Sequence, residues 1–227
     1  LKENDLDTAM ATLDRAREAG AETLSLGLLR LGILERTGRI DEIDDALQDL
    51  GRRYPGTPEL RVALARWLID RDPQKTETVG MILGQLLRDN ATDRALVSRL
   101  TGEMVDLIGV ERALDVLGAT ERDPETAGAF ENQIAVLESA GGDRAAAIAR
   151  LEREIAGGER AETRNASRLL LARLLDPVDD RVRRAALASD VLETDAENPS
   201  AHLLLGDAAL RRGAYEVAIS HLRAALS

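Results

Sequence analysis

The predicted fold depends most on the stretch Asn198–Leu226, which has the sequence NPSAHLLLGDAALRRGAYEVAISHLRAAL. Asn198 followed by Pro199 is typical of a helix start, because asparagine caps free backbone N–H groups and proline suits the first helical position. Gly213 interrupts the apolar periodicity midway through the stretch. The pattern predicts two short helices joined by a turn at Gly213.

Helix-stop signals recur along the whole chain at a nearly constant spacing. They begin at positions 4, 38, 72, 109, 142, 176 and 213, so the successive spacings are 34, 34, 37, 33, 34 and 37 residues. A second series of breaks lies between them, at Gly20, Pro55-Gly56, Asp89-Asn90, Asp123-Pro124, Gly157-Gly158 and Asn198-Pro199. Two interleaved series with a period of about 34 residues indicate a helix–turn–helix repeat.

The segments between the breaks have helical periodicity and predict an all-α chain of about thirteen helices, one unpaired helix followed by six pairs. The predicted helices span 5–19, 22–37, 40–53, 58–71, 75–88, 92–108, 110–118, 125–140, 143–156, 161–175 and 179–193, with two more within 198–226. No break is sharper than the others, which favours a single array over separate domains. Its predicted units are a partial repeat at 1–21 and repeats at 22–57, 58–91, 92–123, 124–160, 161–197 and 198–227.

Composition restricts both the core and the class of partner. Hydrophobic residues make up 44% of the chain but aromatic residues only 2%, which suits thin helical layers better than a β-sandwich. The net charge of −11 argues against nucleic acid and anionic membrane surfaces as partners, since both require a basic protein surface. No apolar run is long enough to span a bilayer, so we expect no membrane insertion.

The absence of cysteine excludes disulfides and cysteine-ligated metals. It is compatible with an oxidising compartment, and we favour the bacterial periplasm over the cytoplasm. The chain begins at Leu1 without an initiator methionine, so we expect it to be a fragment of a longer protein. The helices at its two ends would then each expose a face that a neighbour covers in the parent protein, which predicts end-to-end self-association.

The last stretch resembles the tetratricopeptide-repeat family. Small residues fall at the family positions on Gly206, Ala218 and Ala225, and the bulky positions fall on Leu205, Tyr215 and Leu222. The unit 128–161 matches next best, and Pro55 supplies the closing proline of the unit 24–57. His202 stands where the family prefers tryptophan. The resemblance implies a right-handed α-α superhelix, and half-a-tetratricopeptide and Sel1-like repeats are the nearest alternatives.

In this family the first helix of each pair lines a concave groove that binds a peptide or partner protein. Mapping the family positions onto this sequence implies the groove residues Arg66, Arg99, Glu103, Asn132, Arg173, Leu203, Asp207 and Arg211. The lysine–asparagine clamp of chaperone-tail-binding members is absent from the corresponding positions. We therefore do not expect binding of that chaperone terminus.

We predict no catalytic site, cofactor or metal. His202 and His221 are the two histidines, and no acid stands at a metal-ligand spacing from His202, so we interpret His202 as a packed core residue. The acidic run that includes Asp41 and Glu42 begins a predicted helix, where negative charge favourably meets the positive helix end. The sequence contains no phosphate-binding glycine loop and no nucleophile elbow.

Three functions remain open from the sequence. The leading hypothesis is a non-enzymatic scaffold that binds another protein along the groove. The alternative is the repeat arm of a bacterial envelope protein that guides exopolysaccharide export, in which case a polysaccharide would be the partner. An enzyme is the least favoured.

Overall fold

A computed structural model of the chain describes residues 3–158 and 161–226, and these ranges contain helices and turns but no strand. The predicted all-α class is confirmed. The helices are α1 Glu3–Glu18, α2 Leu24–Arg36, α3 Ile40–Arg53, α4 Pro58–Arg71, α5 Thr76–Asp89, α6 Arg94–Glu121, α7 Glu131–Ala140, α8 Arg144–Gly157, α9 Ala161–Leu174, α10 Arg181–Thr194, α11 Pro199–Arg211 and α12 Tyr215–Ala224. Repeat limits predicted at 1, 160 and 227 lie outside the described residues.

Three turns between paired helices have the same structure. Gly38, Gly142 and Gly213 have φ angles of 69°, 95° and 73°, a left-handed conformation that glycine adopts without steric cost. The residue after each glycine donates its N–H to the carbonyl five residues earlier, at N–O distances of 3.0, 2.8 and 3.0 Å. This is the hydrogen bond of a Schellman motif, which ends a helix by satisfying one of its last carbonyls. The periodic glycines of the sequence therefore end helices for one physical reason.

Gly109 ends a helix in a different way. Its φ of 82° and ψ of 164° break α6 into two helical segments, so the described residues contain thirteen segments in all. The sequence prediction of two helices separated at Gly109 is confirmed. The second segment continues to Glu121 instead of ending at residue 118.

The predicted helix at 125–140 is wrong in its first turn and a half, because α7 begins only at Glu131. Residues 123–130 instead form consecutive turns that include Gly128 at a φ of 76°. The Glu121 carboxylate accepts hydrogen bonds from the backbone N–H groups of Gly128 and Phe130, the latter at 3.0 Å. Phe130 is fully buried at the end of these turns. The hydrogen bonds to the Glu121 carboxylate, which the apolar periodicity does not reveal, thus stabilise these turns in place of a helix.

The chain divides into two compact units. The first contains Leu1–Asn90 and Gly102–Ile108, and the second contains Ala91–Thr101 and Gly109–Ser227. The single repeat array stays a prediction.

In the first unit, consecutive helices from α1 to α5 pack against one another as neighbours. One core cluster draws apolar residues from four successive helices, including Met10 on α1, Leu34 on α2, Leu50 on α3 and Leu60 on α4. From α2 to α4, each helix therefore packs against both the helix before it and the helix after it. Such nearest-neighbour packing is typical of an α-solenoid.

The second unit follows the same rule. From α7 to α12 each helix packs against the next, and α7 also contacts α9 directly. Small residues permit the close packing, because Ala135, Ala147, Ala172, Ala188 and Ala201 are all fully buried. The core of this unit is therefore built from alanine and leucine, as the aromatic-poor composition predicts.

Two predicted core positions in the last helix pair are not core. Tyr215, which the family resemblance placed at a bulky packing position, is 67% exposed at the start of α12. His202 is only half-buried, and its ring contacts His221 instead of apolar side chains alone. The exposure of Tyr215 is consistent with the packing of α12, whose main neighbour among the described helices is α11.

Candidate partner-binding surface

The predicted groove residues Arg66 and Glu103 meet in the first unit. Arg66 lies on α4 and Glu103 on α6, which are the first helices of two consecutive predicted repeats. A terminal guanidinium nitrogen of Arg66 lies 2.6 Å from a carboxylate oxygen of Glu103. The Arg66 side chain is 51% exposed and that of Glu103 is 26% exposed. The pair links neighbouring first helices at a solvent-accessible surface, as groove positions should.

Two further groove residues bridge first helices in the second unit. The side-chain oxygen of Asn132 on α7 lies 2.9 Å from the hydroxyl of Ser167 on α9. Arg173 on α9 donates a hydrogen bond to the hydroxyl of Ser200 on α11 at 3.1 Å. Three consecutive first helices, α7, α9 and α11, therefore contact one another through predicted groove positions.

The remaining groove residues lie on the exposed sides of α6 and α11. Leu203 is 52% exposed. Asp207 accepts a hydrogen bond from Arg211 one turn later, at 2.9 Å. Arg99 is exposed on α6. The structure thus places every predicted groove residue at least partly at the surface, and at least six of the eight contact another side chain across or along first helices.

An apolar groove in the first unit, which we name the α2–α4 groove, has a volume of about 250 Å³. Its lining residues come from α2, α3 and α4 and are Leu28, Leu31, Gly32, Glu35, Ile43, Leu47, Glu59, Val62, Ala63, Arg66 and Trp67. A Cβ atom added at Gly32 would meet no atom within 4 Å, so the absence of a side chain there leaves open space. Sequence reasoning placed Arg66 here but missed Gly32, because one exposed glycine in a leucine-rich helix carries no distinguishing signal.

A second surface depression, which we name the arginine pocket, lies in the second unit between α10 and α11. Its volume is about 170 Å³, and it is lined by Pro177, Arg181, Val182, Arg184, Ala185, Leu204, Asp207, Ala208, Arg211 and Arg212. Of these only Asp207 and Arg211 were predicted. The clusters RVRR at 181–184 and RR at 211–212 are visible in the sequence, but their separation along the chain hides that they face one pocket.

Asn132 also borders a polar cleft of about 370 Å³ in the second unit. The cleft is lined by the turns at 125–129, by Arg94 and Thr163 near the starts of α6 and α9, by Gln133 on α7 and by Glu154 on α8. Partial burial and the nearby Glu131 carboxylate raise the pKa of Glu154. Arg94 donates to the Thr163 hydroxyl at 2.7 Å across this surface.

The charged groups with the clearest pKa changes have structural partners. Burial raises the pKa of Glu121, although its two backbone hydrogen bonds act in the opposite direction. Hydrogen bonds to Glu138 and Glu131 raise the pKa of Arg150, which clamps α8 to α7 with N–O distances of 2.7 Å to each carboxylate. Glu121 and Arg150 each link segments of the second unit, and these links use much of the hydrogen-bonding capacity of their side chains.

The two histidines form a pair between α11 and α12. Their Nδ1 atoms lie 2.9 Å apart, and Nε2 of His202 lies 3.0 Å from the Ala196 carbonyl oxygen. A carbonyl only accepts, so neutral His202 carries its proton on Nε2 and accepts at Nδ1 the proton that His221 donates. Burial and the neighbouring His202 lower the pKa of His221. Helical periodicity does not reveal this pair, because a turn separates the two residues along the chain.

Within residues 3–158 and 161–226, no cluster of three or more histidine, aspartate or glutamate side chains could hold a metal ion. Over the same ranges, no helix combines the length and the apolar character needed to cross a bilayer.

Comparison with models of known protein families finds no match to this chain, and a search of curated proteins also finds no significant match.

Proposed function

We propose that this chain is a tetratricopeptide-type interaction module without enzymatic activity, which binds an extended segment of another protein along the faces of its first helices. The finer fold assignment, a right-handed superhelix of such repeats, belongs to the same proposal. Its support is the sequence period of about 34 residues together with the neighbour packing of consecutive helices.

The observation that carries the proposal is the contact between first helices at predicted groove positions. Arg66 meets Glu103 in one unit, and Asn132 meets Ser167 in the other. The sequence intervals between these partners, 37 and 35 residues, are close to one repeat. Side chains one repeat apart therefore line a shared surface, which is how a repeat protein presents a continuous binding face.

The α2–α4 groove gives this surface a specific anchor site. Its floor contains Leu28, Leu31 and Val62, while Trp67 is half-buried at one side and contacts the guanidinium of Arg71 at 5.3 Å from the ring centroid. An apolar floor with a charged rim suits one apolar side chain of a bound peptide, with polar contacts to the peptide on either side.

The test uses the whole 227-residue chain. Peptides are selected against it from a displayed random library, and the affinity of each selected peptide is measured by fluorescence anisotropy. A Gly32→Leu substitution places a side chain in the open space of the groove. For peptides that bind the groove, we expect a loss of affinity of about tenfold or more, which corresponds to about 1.4 kcal/mol.

Gly51→Leu is the matched control. Gly51 lies on α3 of the same unit, and a Cβ atom there also meets nothing within 4 Å, but the residue does not line the groove. Affinity for this variant should stay within about twofold of the unsubstituted chain. Selected peptides that bind Gly32→Leu and the unsubstituted chain equally would contradict the groove assignment.

A further inference from the structure

The arginine pocket has a charge opposite to that of the protein as a whole. The chain carries a net charge of −11, yet four arginines and a single aspartate line this one depression. The aspartate, Asp207, is already paired with Arg211 at 2.9 Å. A local excess of positive charge on an acidic protein is costly through mutual repulsion unless an anionic group offsets it.

The guanidinium groups retain donors for a ligand. Arg184 uses its Nε–H to bind the Ala172 carbonyl at 2.8 Å, and Arg211 uses its Nε–H to bind Asp207. Each bond uses one donor and orients the terminal nitrogens, and the nearby Asp176 carboxylate also interacts electrostatically with Arg184. Arg181 and Arg212 are exposed and have no ion-pair partner among the described residues. Oriented terminal nitrogens are the geometry that binds carboxylates with two parallel hydrogen bonds.

Half of the residues that line the pocket are apolar. Pro177, Val182, Ala185, Leu204 and Ala208 contribute to its lining, and Val182 is 76% exposed. A volume of about 170 Å³ is smaller than the roughly 300–1,000 Å³ of a site for a drug-sized molecule, and suits a single side chain. A ligand that satisfies both features carries carboxylates around one aliphatic side chain.

We propose that the arginine pocket binds an acidic peptide segment, with glutamate or aspartate carboxylates on the arginines and a central aliphatic side chain on the apolar lining residues. A protein partner fits this chemistry better than a polyuronate, which has carboxylates but no aliphatic side chain. The proposal rests on the proposed binding function, but it places the acidic segment in the second unit, on a surface that shares no residue with the α2–α4 groove.

The probe is a fluorescein-labelled peptide of about nine residues with a central leucine flanked by two glutamates on each side. Anisotropy titration of the whole chain should show binding that weakens by about tenfold or more between about 0.1 M and about 1 M salt, since screening over this range shortens the Debye length from about 10 Å to about 3 Å. Replacing the glutamates by glutamines should remove binding. Replacing the central leucine by alanine should weaken it about five- to tenfold.

The pocket variant combines Arg181→Glu with Arg212→Glu, two exposed positions whose change should leave folding intact. We expect it to weaken binding of the leucine peptide by about tenfold or more. Its control combines Arg36→Glu with Arg112→Glu, exposed arginines elsewhere that change the net charge equally. The control should bind within about twofold of the unsubstituted chain, and the thermal midpoint of each variant checks that it folds.

Each contrary result has a defined meaning. Equal weakening in the pocket and control variants would overturn the proposal, because only net charge would then matter. Equal binding of the leucine and alanine peptides, or competition by polygalacturonate or inorganic phosphate as strong as that by the peptide, would also overturn it in favour of general anion binding. If the acidic peptide does not bind while library peptides remain sensitive to Gly32→Leu, the pocket proposal fails and the groove function stands.

Discussion

In both helix pairs α2–α3 and α11–α12, a glycine on the first helix packs against a leucine on the second. The two contacts differ in how little space they leave for a side chain at the glycine. A Cβ atom added to Gly27 would lie 2.3 Å from Leu50, whereas one added to Gly206 would lie 3.0 Å from Leu222. Leu50 is 2% exposed within the core, but Leu222 is only half-buried. The need for glycine therefore depends on how firmly the opposing side chain is held.

Truncating the two leucines should produce the largest difference in stability between the two helix pairs. Leu50→Ala leaves a cavity in a close-packed core and should cost about 3 kcal/mol, whereas Leu222→Ala should cost about 1 kcal/mol because water already reaches part of that side chain. Amide hydrogen exchange resolves each pair separately, which a global melt of a repeat protein does not. Equal losses of protection would show that the two leucines are held alike.

Adding one methyl group at each glycine should produce a smaller difference in stability, again with the larger loss in α2–α3. Gly27→Ala should destabilise α2–α3 by about 1–2 kcal/mol through overpacking. Gly206→Ala should change the stability of α11–α12 by less than about 0.5 kcal/mol, because the gain in helix propensity offsets a mild contact.

Two controls identify the cause of the Gly27 effect. Gly32→Ala, on the same helix but facing open space, should raise stability by about 0.5–1 kcal/mol. In a Leu50→Ala background the clash partner is gone, so Gly27→Ala should no longer destabilise. A loss that persists in this background would mean that Leu50 is not the obstacle.

The smallest expected difference is one of pH dependence. His221 has a lowered pKa in the folded chain, so the unfolded chain binds a proton more readily. The stability associated with neutral His221 is complete above the unfolded value of about 6.5 and is lost as the pH falls from there through the folded pKa. Protection of α11–α12 should therefore decrease between about pH 7.5 and about pH 5.5 more than that of α2–α3, which contains no histidine.

His221→Gln tests the assignment. This variant removes the titrating ring but keeps a polar side chain, so α11–α12 should then follow the pH dependence of α2–α3. If the excess pH dependence of α11–α12 is unchanged in His221→Gln, it arises from another group.

Much of the architecture is predictable because it depends on short stretches of chain. The turns at Gly38, Gly142 and Gly213 follow from a local requirement for a left-handed residue at a helix end. Helix positions follow from apolar periodicity, which is again local. The turns at 123–130 escaped prediction because the Glu121 carboxylate holds them from outside the segment.

The sequence predicted which residues could line the candidate surface but not which contacts they make. A family position identifies Arg66 and Asp207 as groove residues without telling which partner each one finds. Their partners, Glu103 and Arg211, lie 37 and 4 residues away, and only the nearer one follows helix spacing. The glycine at position 32 and the arginines at 181 and 212 became visible as surface features only after folding.

The amino-acid sequence by itself determined the all-α class, the repeat period and the ends of most helices, because these depend on backbone preferences and side-chain periodicity within about one helix turn of each break. Only the tertiary structure decided which side chains meet across helices. The α2–α4 groove, the arginine pocket and the His202–His221 pair all join residues from separate helices, so their chemistry arises from packing and not from any single segment.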